Sequence, residues 1–523
     1  MGFCINPGNE GFSSARKGRY IDKSGIISLI NKEIDGKDKL FCVSRPRRFG
    51  KSYAAQMLCA YYCVECDSEK LFNDLEIASD NAYREHLNKY NVLYLDVSSF
   101  LGKCKIEELT KEVCKTIISE IKAFYPDIDT GMGIDYALAG VVDHTGTKFV
   151  AIIDEWDSPI RDSKSNSETQ KEYLDFLRLL FKNSSATDKI FSAAYMTGIL
   201  PIKKDGSQSA VSEFDEFTMI SPRRLAPYFG FVEGEVESLC KEYDMDFRKM
   251  KEWYDGYELP IAGPIYNPNS VMEAIKNNSF ESYWRMSSSA TSLLDFINLD
   301  FDGLLKAVEK LIGGDSVQVN TRNFQNDMIN FSSKDDVLTL LIHFGYLCYE
   351  SGSESVYIPN EEVRQEFADV IRRVSHKETL KRIQESDKLI RDVVEMNESA
   401  VAEQIEKIHR TETDPLFYNN EQSLRSVIKL AFFAYKDKYT QLEELPSGNG
   451  YADIVYLPKK QSNYPILVIE LKWDETAETA IDQIRKRNYP EKLKERNEDI
   501  ILVGVSYDKD DREKKHHCKI ERI

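Results

Sequence analysis

Residues 45–52 read Arg45-Pro46-Arg47-Arg48-Phe49-Gly50-Lys51-Ser52 and separate the apolar run 40–43 from a helix-like run at 53–62. A loop between a strand and a helix can turn its backbone N–H groups toward a phosphate, with a Lys on the β/γ oxygens and a hydroxyl on Mg²⁺. The last three residues match the end of that pattern, G-x-x-x-x-G-K-[ST], whereas Arg45 stands where its first Gly belongs. Taken alone, this match leaves open a loop that binds no phosphate.

A second element favours the phosphate site. Residues 148–155 read KFVAIIDE, an apolar strand that ends in Asp154 and Glu155. In nucleotide hydrolases the first acid helps to hold Mg²⁺ and the second orients the attacking water. The alternative is an ordinary strand running into an acidic turn, which the upstream loop disfavours. We therefore predict that Lys51, Ser52 and Asp154 bind ATP and Mg²⁺ and that Glu155 is catalytic.

Six short motifs follow one another along the chain: YIDK at 20–23, SRPRRFGKS at 44–52, DEWDSP at 154–159, TG at 197–198, WYDGY at 253–257 and YNPNS at 266–270. This order resembles the predicted AAA-ATPase-like family, whose members commonly carry a C-terminal PD-(D/E)xK nuclease domain. An Arg at the first position of the loop is usual in that family. The resemblance therefore implies a nucleotide-binding loop that includes Arg47, Arg48 and Phe49, with Arg47 or Arg48 sensing phosphate or nucleic acid.

The C-terminal part of the chain holds a second group of chemically capable residues. Residues 450–456 and 465–472 predict two paired strands joined by a turn. Because side chains alternate across a strand, Glu470 and Lys472 share one face, and the pairing brings Asp453 toward Glu470. Two carboxylates and a lysine can bind Mg²⁺, activate a water and stabilise the charge on a phosphodiester being cut. We predict that these three residues are catalytic and that both acids bind the metal.

Two neighbouring segments complete this predicted centre. Glu421 begins a helix-like run, 421–435, from which its carboxylate would add a metal ligand. Gln483 and Tyr489 lie on or after the run 475–487, where the resembling nucleases carry a supporting Gln and Tyr. An amphipathic strand end without chemistry, or a nuclease fold without retained activity, remains the alternative.

Composition is typical of a large intracellular enzyme. The 523 residues, 42% of them hydrophobic, are too many for one core and predict two to four domains. The sequence has neither an apolar run of about 18 residues nor a basic-then-apolar N-terminal segment, so a membrane span or secretion is not expected. Ten cysteines at irregular spacing indicate free thiols in a reducing cytoplasm.

Charge limits where nucleic acid could bind. The chain carries 69 basic and 87 acidic residues, a net charge of −18, whereas residues 415–523 hold 19 of each sign. The acidic excess therefore lies in residues 1–414, which would repel a polyanion. Contact with nucleic acid is expected at the C-terminal domain or at the arginine-rich loop.

The order of apolar and helix-like runs predicts an α/β protein of four parts. Strand-like runs at 40–43, 92–95, 149–153 and 190–196 alternate with helical stretches and predict a P-loop NTPase domain with a mainly parallel sheet over 1–228. The other predicted parts are a helical lid over 229–300, a helical or winged-helix-like spacer over 301–410, and an α/β PD-(D/E)xK nuclease-like domain over 411–523.

These patterns predict an ATP-binding, Mg²⁺-dependent P-loop hydrolase joined to a Mg²⁺-dependent nuclease-like domain that cleaves nucleic acid under nucleotide control. The intact acids and lysine of the C-terminal centre favour cleavage. The acidic bulk favours the alternative, a non-cleaving ATP-dependent switch whose C-terminal domain binds nucleic acid or a partner protein. ATP and nucleic acid are the expected partners, a membrane is not, and homo-oligomer formation is left open.

Overall fold

The structure, a computed structural model, describes residues 2–162, 167–182, 184–202, 204–205, 208–209, 211–284, 301–326, 331, 333–373, 377–412, 427–428, 431–432, 439–447, 450–459, 464–473, 475–486, 493, 499–507 and 515–523. The chain divides into two compact units. The first holds Met1–Met245, Tyr254–Ser289 and Gln318–Pro359, and the second holds Asp246–Trp253, Ala290–Val317 and Asn360–Ile523. The predicted boundaries of the four domains stay a prediction.

The strands of the described residues form five sheets. Their bounds are β1 (Leu40–Ser44), β2 (Asn91–Asp96), β3 (Phe149–Asp154), β4 (Phe191–Gly198), β5 (Lys204–Asp205), β6 (Gln208–Ser209), β7 (Asp215–Phe217), β8 (Phe231–Val232), β9 (Tyr257–Leu259), β10 (Gly263–Tyr266), β11 (Val317–Gln318), β12 (Cys348–Glu350), β13 (Ser355–Tyr357), β14 (Tyr439–Ser447), β15 (Gly450–Pro458), β16 (Ile466–Trp473), β17 (Ile500–Tyr507) and β18 (His516–Arg522).

The α-helices alternate with these strands through the first half of the chain. They are α1 (Glu10–Lys17), α2 (Gly25–Asn31), α3 (Lys51–Tyr62), α4 (Glu69–Phe72), α5 (Tyr83–His86), α6 (Val97–Leu101), α7 (Leu109–Phe124), α8 (Ile134–Thr145), α9 (Ser158–Arg161), α10 (Ser167–Phe181), α11 (Ser184–Ile190), α12 (Glu233–Tyr243), α13 (Phe247–Tyr254), α14 (Pro268–Asn277), α15 (Leu304–Ile312), α16 (Lys334–Phe344), α17 (Glu361–Arg373), α18 (Lys377–Val394), α19 (Glu398–Glu412) and α20 (Ala477–Lys486). Short 3₁₀ helices lie at Glu76–Ser79, Ile106–Glu108, Arg223–Tyr228 and Phe301–Gly303.

The first unit is built around five parallel strands in the order β2-β3-β4-β1-β7. Every residue of β1, β3 and β4 is buried, as expected for a parallel sheet covered on both faces. Helix α3 packs on β2, β3 and β4, and its apolar residues join the core cluster that contains Phe41 and Val43. The four predicted strand runs form β1 to β4, which confirms the α/β fold with a parallel sheet.

The predicted helical lid contains more than helices. Helix α12 begins where Glu235 accepts a hydrogen bond from the N–H of Val232, and α14 begins at Asn267, whose side chain accepts from the N–H of Asn269. The same range contains an antiparallel sheet in the order β8-β10-β9, with β8 before α12 and the other two strands between α12 and α14, which the sequence analysis did not predict. Its strands have only two to four residues, too few for a period-2 pattern to stand out.

Within the range predicted as a helical or winged-helix-like spacer, helix α16 is followed by the antiparallel pair β12–β13 and then by helix α17. Ser333 and Asp336 cap α16 reciprocally, and Gly345 ends it with a φ of 84°. A sheet with the order β11-β13-β12 includes the hairpin.

The second unit ends in a mixed five-stranded sheet with the order β14-β15-β16-β17-β18. Strands β14 to β16 pair antiparallel, β16 pairs parallel with β17 across the crossover helix α20, and β18 returns antiparallel. Ile481 and Ile484 of α20 pack against Val468 and Leu502 in one apolar cluster. This confirms the predicted strand pair and the α/β class of the C-terminal part.

Two expectations about environment can be compared with the fold. None of the described helices is long and apolar enough to cross a membrane. All ten cysteines are free thiols in the structure.

Candidate functional site

The phosphate-loop candidate connects β1 to α3 at the carboxyl edge of the parallel sheet. Gly50 has a φ of 90°, a left-handed conformation that side chains rarely adopt, and it forms the N-cap of α3. Lys51 and Ser52 therefore start a 12-residue helix whose first N–H groups lack partners within the helix. Such a helix N-terminus favours a bound anion.

Lys51, Ser52 and Asp154 meet at this edge, as predicted. Lys51 is 4% exposed, and its Nζ donates to the carbonyl of Pro46 at 2.9 Å. Burial lowers the pKa of the Lys51 ammonium, an effect that Glu155 and Asp154 oppose. Burial shifts the pKa of Asp154 in the opposite direction and raises it to about 6, although a hydrogen bond from Ser52 lowers it. A hydroxyl and a carboxylate are oxygen ligands that suit Mg²⁺.

Glu155 lies directly after β3 and beside two cations. Its backbone is left-handed, with a φ of 52°. One carboxylate oxygen, Oε1, lies 3.8 Å from Nζ of Lys51, and the other, Oε2, accepts a hydrogen bond from Nη2 of Arg161. The predicted water-orienting carboxylate is therefore held between the positive charges of Lys51 and Arg161.

Arg161 is a residue of the site that the sequence analysis missed. Its Nε donates to Oδ2 of Asp157 at 2.8 Å, and that fully buried carboxylate also accepts the N–H groups of Ile199 and Leu200. A side chain at Gly198 would collide with Asp157, because a Cβ there would lie 2.4 Å from Oδ1. The i, i+4 spacing of Asp157 and Arg161 was the available signal, but its meaning depends on where the chain turns after β3.

Arg45, which replaces the first Gly of the consensus loop, faces the protein interior. Its side chain is fully buried and donates through Nη1 to the carbonyls of Ser44 and Phe217 at 2.8 and 2.9 Å. The guanidinium lies 5.5 Å from the ring centre of Phe229, and burial lowers its pKa to about 10. Among the described residues, Nε and Nη2 have no hydrogen-bond partner. Arg45 therefore supports the loop from beneath.

Changing Arg45 to Gly restores the consensus but is expected to destabilise the protein. The change empties the space of a large buried side chain and leaves two carbonyls without their donor, a loss of about 2–4 kcal/mol. Arg47→Gly is the matched control, because Arg47 is exposed on the same loop. Urea unfolding of both variants measures the difference. Equal stability of Arg45→Gly and the wild type would contradict this role.

Two other residues of the loop, Arg48 and Phe49, contact parts of the first unit away from α3. Nη1 of Arg48 donates to the carbonyl of Tyr283 at 2.8 Å. Phe49 is buried and meets the ring of Tyr257 edge-on, with the ring centres 5.4 Å apart. Arg47 is exposed on the loop, but the partial desolvation of its guanidinium, together with the neighbouring Arg161, lowers its pKa. The proposed roles of Arg47, Arg48 and Phe49 in nucleotide binding stay predictions.

Gly345 packs against the phosphate loop and stabilises its shape. The hydroxyl of Tyr257 donates to its carbonyl at 2.6 Å. A Cβ at Gly345 would lie 2.8 Å from the ring of Pro46 and from Trp284, so only glycine fits between them. The resting shape of the phosphate loop therefore depends on packing against residues far along the chain.

A cavity of about 710 Å³ opens beside the loop. This volume lies within the range of about 300–1,000 Å³ typical of small-molecule sites. Its walls include the loop residues from Arg47 to Ser52, together with Glu155, Arg161, Tyr20, Lys23 and Phe231. Lys23 joins the wall to α12, because its Nζ donates to Glu235 at 2.7 Å. The cavity is therefore large enough for a small-molecule ligand whose anionic group lies at the N-terminus of α3.

The C-terminal centre forms where β15 and β16 part. Their pairing runs as far as Ile454 opposite Ile469, so Asp453 and Glu470 stand at the next position. There the side-chain Oδ2 of Asp453 accepts a hydrogen bond from the backbone N–H of Leu471 at 2.8 Å, in place of a backbone–backbone hydrogen bond between the two strands. The predicted approach of Asp453 to the end of β16 is therefore seen, and the two carboxylates supply oxygens of the kind Mg²⁺ prefers.

Gln483 and Lys472 contact Glu470, which is 1% exposed. Nε2 of Gln483 donates to Oε1 of Glu470, and Nζ of Lys472 lies 3.9 Å from that oxygen. Helix α20 can come this close because Gly504 lies opposite Glu470 on β17, where a Cβ would be 2.4 Å from the carbonyl of Ala477. The four residues Asp453, Glu470, Lys472 and Gln483 thus lie in one neighbourhood.

Glu421 and Tyr489 lie outside the described residues. Within the described part of the chain, no group of three His, Cys, Asp or Glu side chains is arranged to hold a metal ion. The metal role of Glu421, Asp453 and Glu470 stays a prediction.

One curated protein and several solved structures are similar to this chain. A curated protein of Azotobacter chroococcum mcd 1, described as an uncharacterized protein in the vnfD 5' region, is 23% identical over 535 residues, which cover 97% of this chain and 96% of that protein. The Walker-type ATPase PABY2304 of Pyrococcus abyssi is 12% identical, with a TM-score of 0.34 over 66% of this chain and 94% of that one. The ORC2 protein of Aeropyrum pernix is 11% identical, with a TM-score of 0.28 over 68% of this chain and 96% of that one.

Two family models match separate stretches. Residues 10–207, which contain the phosphate loop and the Asp154-Glu155 turn, match the predicted AAA-ATPase family. Residues 419–517, which contain Asp453, Glu470, Lys472 and Gln483, match the PD-(D/E)XK nuclease superfamily. The chain therefore joins an AAA-ATPase-like segment to a PD-(D/E)XK nuclease-superfamily segment, in the order that its sequence predicts.

Proposed function

We propose that this protein binds and hydrolyses ATP in the cavity beside α3 and cleaves nucleic acid phosphodiester bonds at the Asp453–Glu470 centre, with the nucleotide controlling cleavage. The observation that supports ATP binding most is the meeting of Lys51, Ser52 and Asp154 at a glycine-started helix N-terminus. Together they offer a cation, backbone donors and oxygen ligands to a phosphate chain.

Hydrolysis would use residues already close to the phosphate position. Lys51 would contact the β and γ oxygens, while Ser52 and Asp154 would hold Mg²⁺, which supplies charge neutralisation on the phosphates. Glu155 would orient the attacking water and accept its proton. Its carboxylate lies 3.8 Å from Nζ of Lys51, and both side chains line the cavity.

Cleavage would use the second centre in a similar division of labour. Asp453 and Glu470 would hold Mg²⁺, which activates a water, and Lys472 would stabilise the charge that develops on the phosphate. Gln483 would fix the Glu470 carboxylate through its hydrogen bond. The equal numbers of basic and acidic residues in 415–523 support nucleic acid contact there.

A non-cleaving switch is the second candidate. The net charge of −18, concentrated in residues 1–414, disfavours a protein that wraps nucleic acid. In that case ATP would change the conformation of the protein, and the C-terminal segment would only bind nucleic acid or another protein.

The two candidates are separated by incubating the purified protein with plasmid DNA, single-stranded DNA or RNA, with Mg²⁺ or Mn²⁺, and with or without ATP. Nicking that requires the metal and changes with ATP supports the first candidate. Binding by gel shift without cleavage under every condition supports the switch.

Glu155→Gln is expected to bind ATP but hydrolyse it at least about 100-fold more slowly, since the amide cannot accept the proton of the water. Phosphate release measures the rate, and isothermal titration measures binding. The conservative variant Glu168→Gln on α10 is the control, with wild-type turnover expected. Full turnover by Glu155→Gln would move the catalytic role elsewhere, with Asp157 the next candidate.

A further inference from the structure

Glu155 fills a position built for an anion. Its two carboxylate oxygens bridge Lys51 and Arg161, with Oε1 3.8 Å from Nζ of Lys51 and Oε2 hydrogen-bonded to Nη2 of Arg161. All three side chains line the cavity at the phosphate-loop end. A phosphate group, which also offers oxygens at its corners, matches the same pair of cations.

Arg161 is anchored so that part of its guanidinium stays available to the cavity. Asp157 accepts a hydrogen bond from Nε of Arg161 at 2.8 Å and so holds the inner edge of the guanidinium. Nη2 of Arg161 donates to Glu155 and lies 3.2 Å from Oγ of Ser158. Asp157 is itself fixed by the N–H groups of Ile199 and Leu200 at the end of β4. Burial alone would lower the pKa of Arg161, but Asp157 and Glu155 beside it raise it. The position of this cation is therefore set by the sheet.

We propose that Arg161 contacts the γ-phosphate of bound ATP, and that Glu155 occupies this contact until the nucleotide arrives. This inference rests on the proposed ATP binding. The incoming γ-phosphate takes over Arg161 and Lys51, and the displaced Glu155 becomes able to accept a hydrogen bond from the attacking water. Replacement of the Glu155 carboxylate by the γ-phosphate thus recognises the triphosphate and also frees Glu155 to act as the base.

Charge favours this exchange. A γ-phosphate carries more negative charge than a carboxylate and presents three oxygens, so it competes well for two cations whose positions the sheet and helix already fix. ADP has no group at this position. The arrangement therefore predicts that Arg161 discriminates ATP from ADP, a property that a purely structural tie between Asp157 and α9 would not have.

Arg161→Lys tests the proposal, because lysine keeps a positive charge against buried Asp157 but has one short ammonium in place of a two-edged guanidinium. Affinities for the non-hydrolysable analogue AMP-PNP and for ADP are measured by titration calorimetry with Mg²⁺. We expect AMP-PNP binding to weaken about 10- to 100-fold and ADP binding to change less than about 3-fold. Arg178→Lys on α10, which pairs with Asp175, is the matched control.

Glu155→Gln supplies an independent measurement on a variant that keeps its shape. Removing the resident negative charge is expected to tighten AMP-PNP binding about 10-fold, because the phosphate no longer competes with a carboxylate. Equal weakening of AMP-PNP and ADP in Arg161→Lys, or unchanged AMP-PNP affinity in Glu155→Gln, would overturn the inference. A wild-type protein that binds neither nucleotide would instead overturn the proposed function itself.

Discussion

Lys51→Ala is expected to lower ATP affinity at least about 100-fold while the protein remains folded. The Lys51 side chain is 4% exposed and begins α3 at the point where the helix N–H groups face the cavity. Its Nζ is held by the Pro46 carbonyl and lies near Glu155, so it is placed in advance for the phosphate chain. Removing it takes away a fixed cation whose contact with phosphate is charge-assisted.

Titration of ATP with Mg²⁺ into the wild type and Lys51→Ala measures this loss. Lys111→Ala, an exposed lysine on α7, is the control and should bind ATP normally. A thermal unfolding curve shows whether the variant is folded. Undiminished ATP affinity in folded Lys51→Ala would refute the phosphate-loop assignment.

Glu470→Gln is expected to reduce Mg²⁺-dependent cleavage below about 1% of the wild-type rate, since the amide is a poor ligand for the metal that activates water. The amide keeps an oxygen that can accept from Gln483, so the local packing of this buried position is retained. Binding of nucleic acid should persist or improve, because affinity comes from basic side chains and a repelling carboxylate is lost.

Two further variants sharpen this experiment. Asp453→Asn also loses cleavage and keeps an oxygen for the Leu471 N–H, whereas Lys472→Ala loses cleavage and binds nucleic acid more weakly. Glu478→Gln, exposed on α20, is the matched control with unchanged activity. Cleavage by Glu470→Gln at the wild-type rate would mean that another centre performs the reaction.

The sequence predicted what depends on local pattern. Apolar runs and the turns that bound them predicted β1, β3, β15 and β16. Because binding residues lie at the carboxyl ends of parallel strands, the same pattern predicted that Lys51 lies near Asp154. The two-residue alternation of strands was enough to put Glu470 and Lys472 on one face.

What depends on distant contacts could not be predicted. Arg45 reads as an exposed loop arginine, and only its contact with Phe217, about 170 residues later, shows that it is buried. The roles of Arg161 and Gly345 likewise follow from where the chain returns in space, which periodicity does not encode.

The packing of Pro46 against Gly345 affects when the phosphate loop can reach its final packing during protein synthesis. Gly345 leaves the ribosome about 300 residues after Pro46, a delay of about 15–60 s at ordinary rates of translation. Until then the segment that matches the ATPase family lacks the residue that packs against Pro46 of its phosphate loop. A nascent chain would therefore complete the packing of this loop only after all five strands of the parallel sheet have been synthesised.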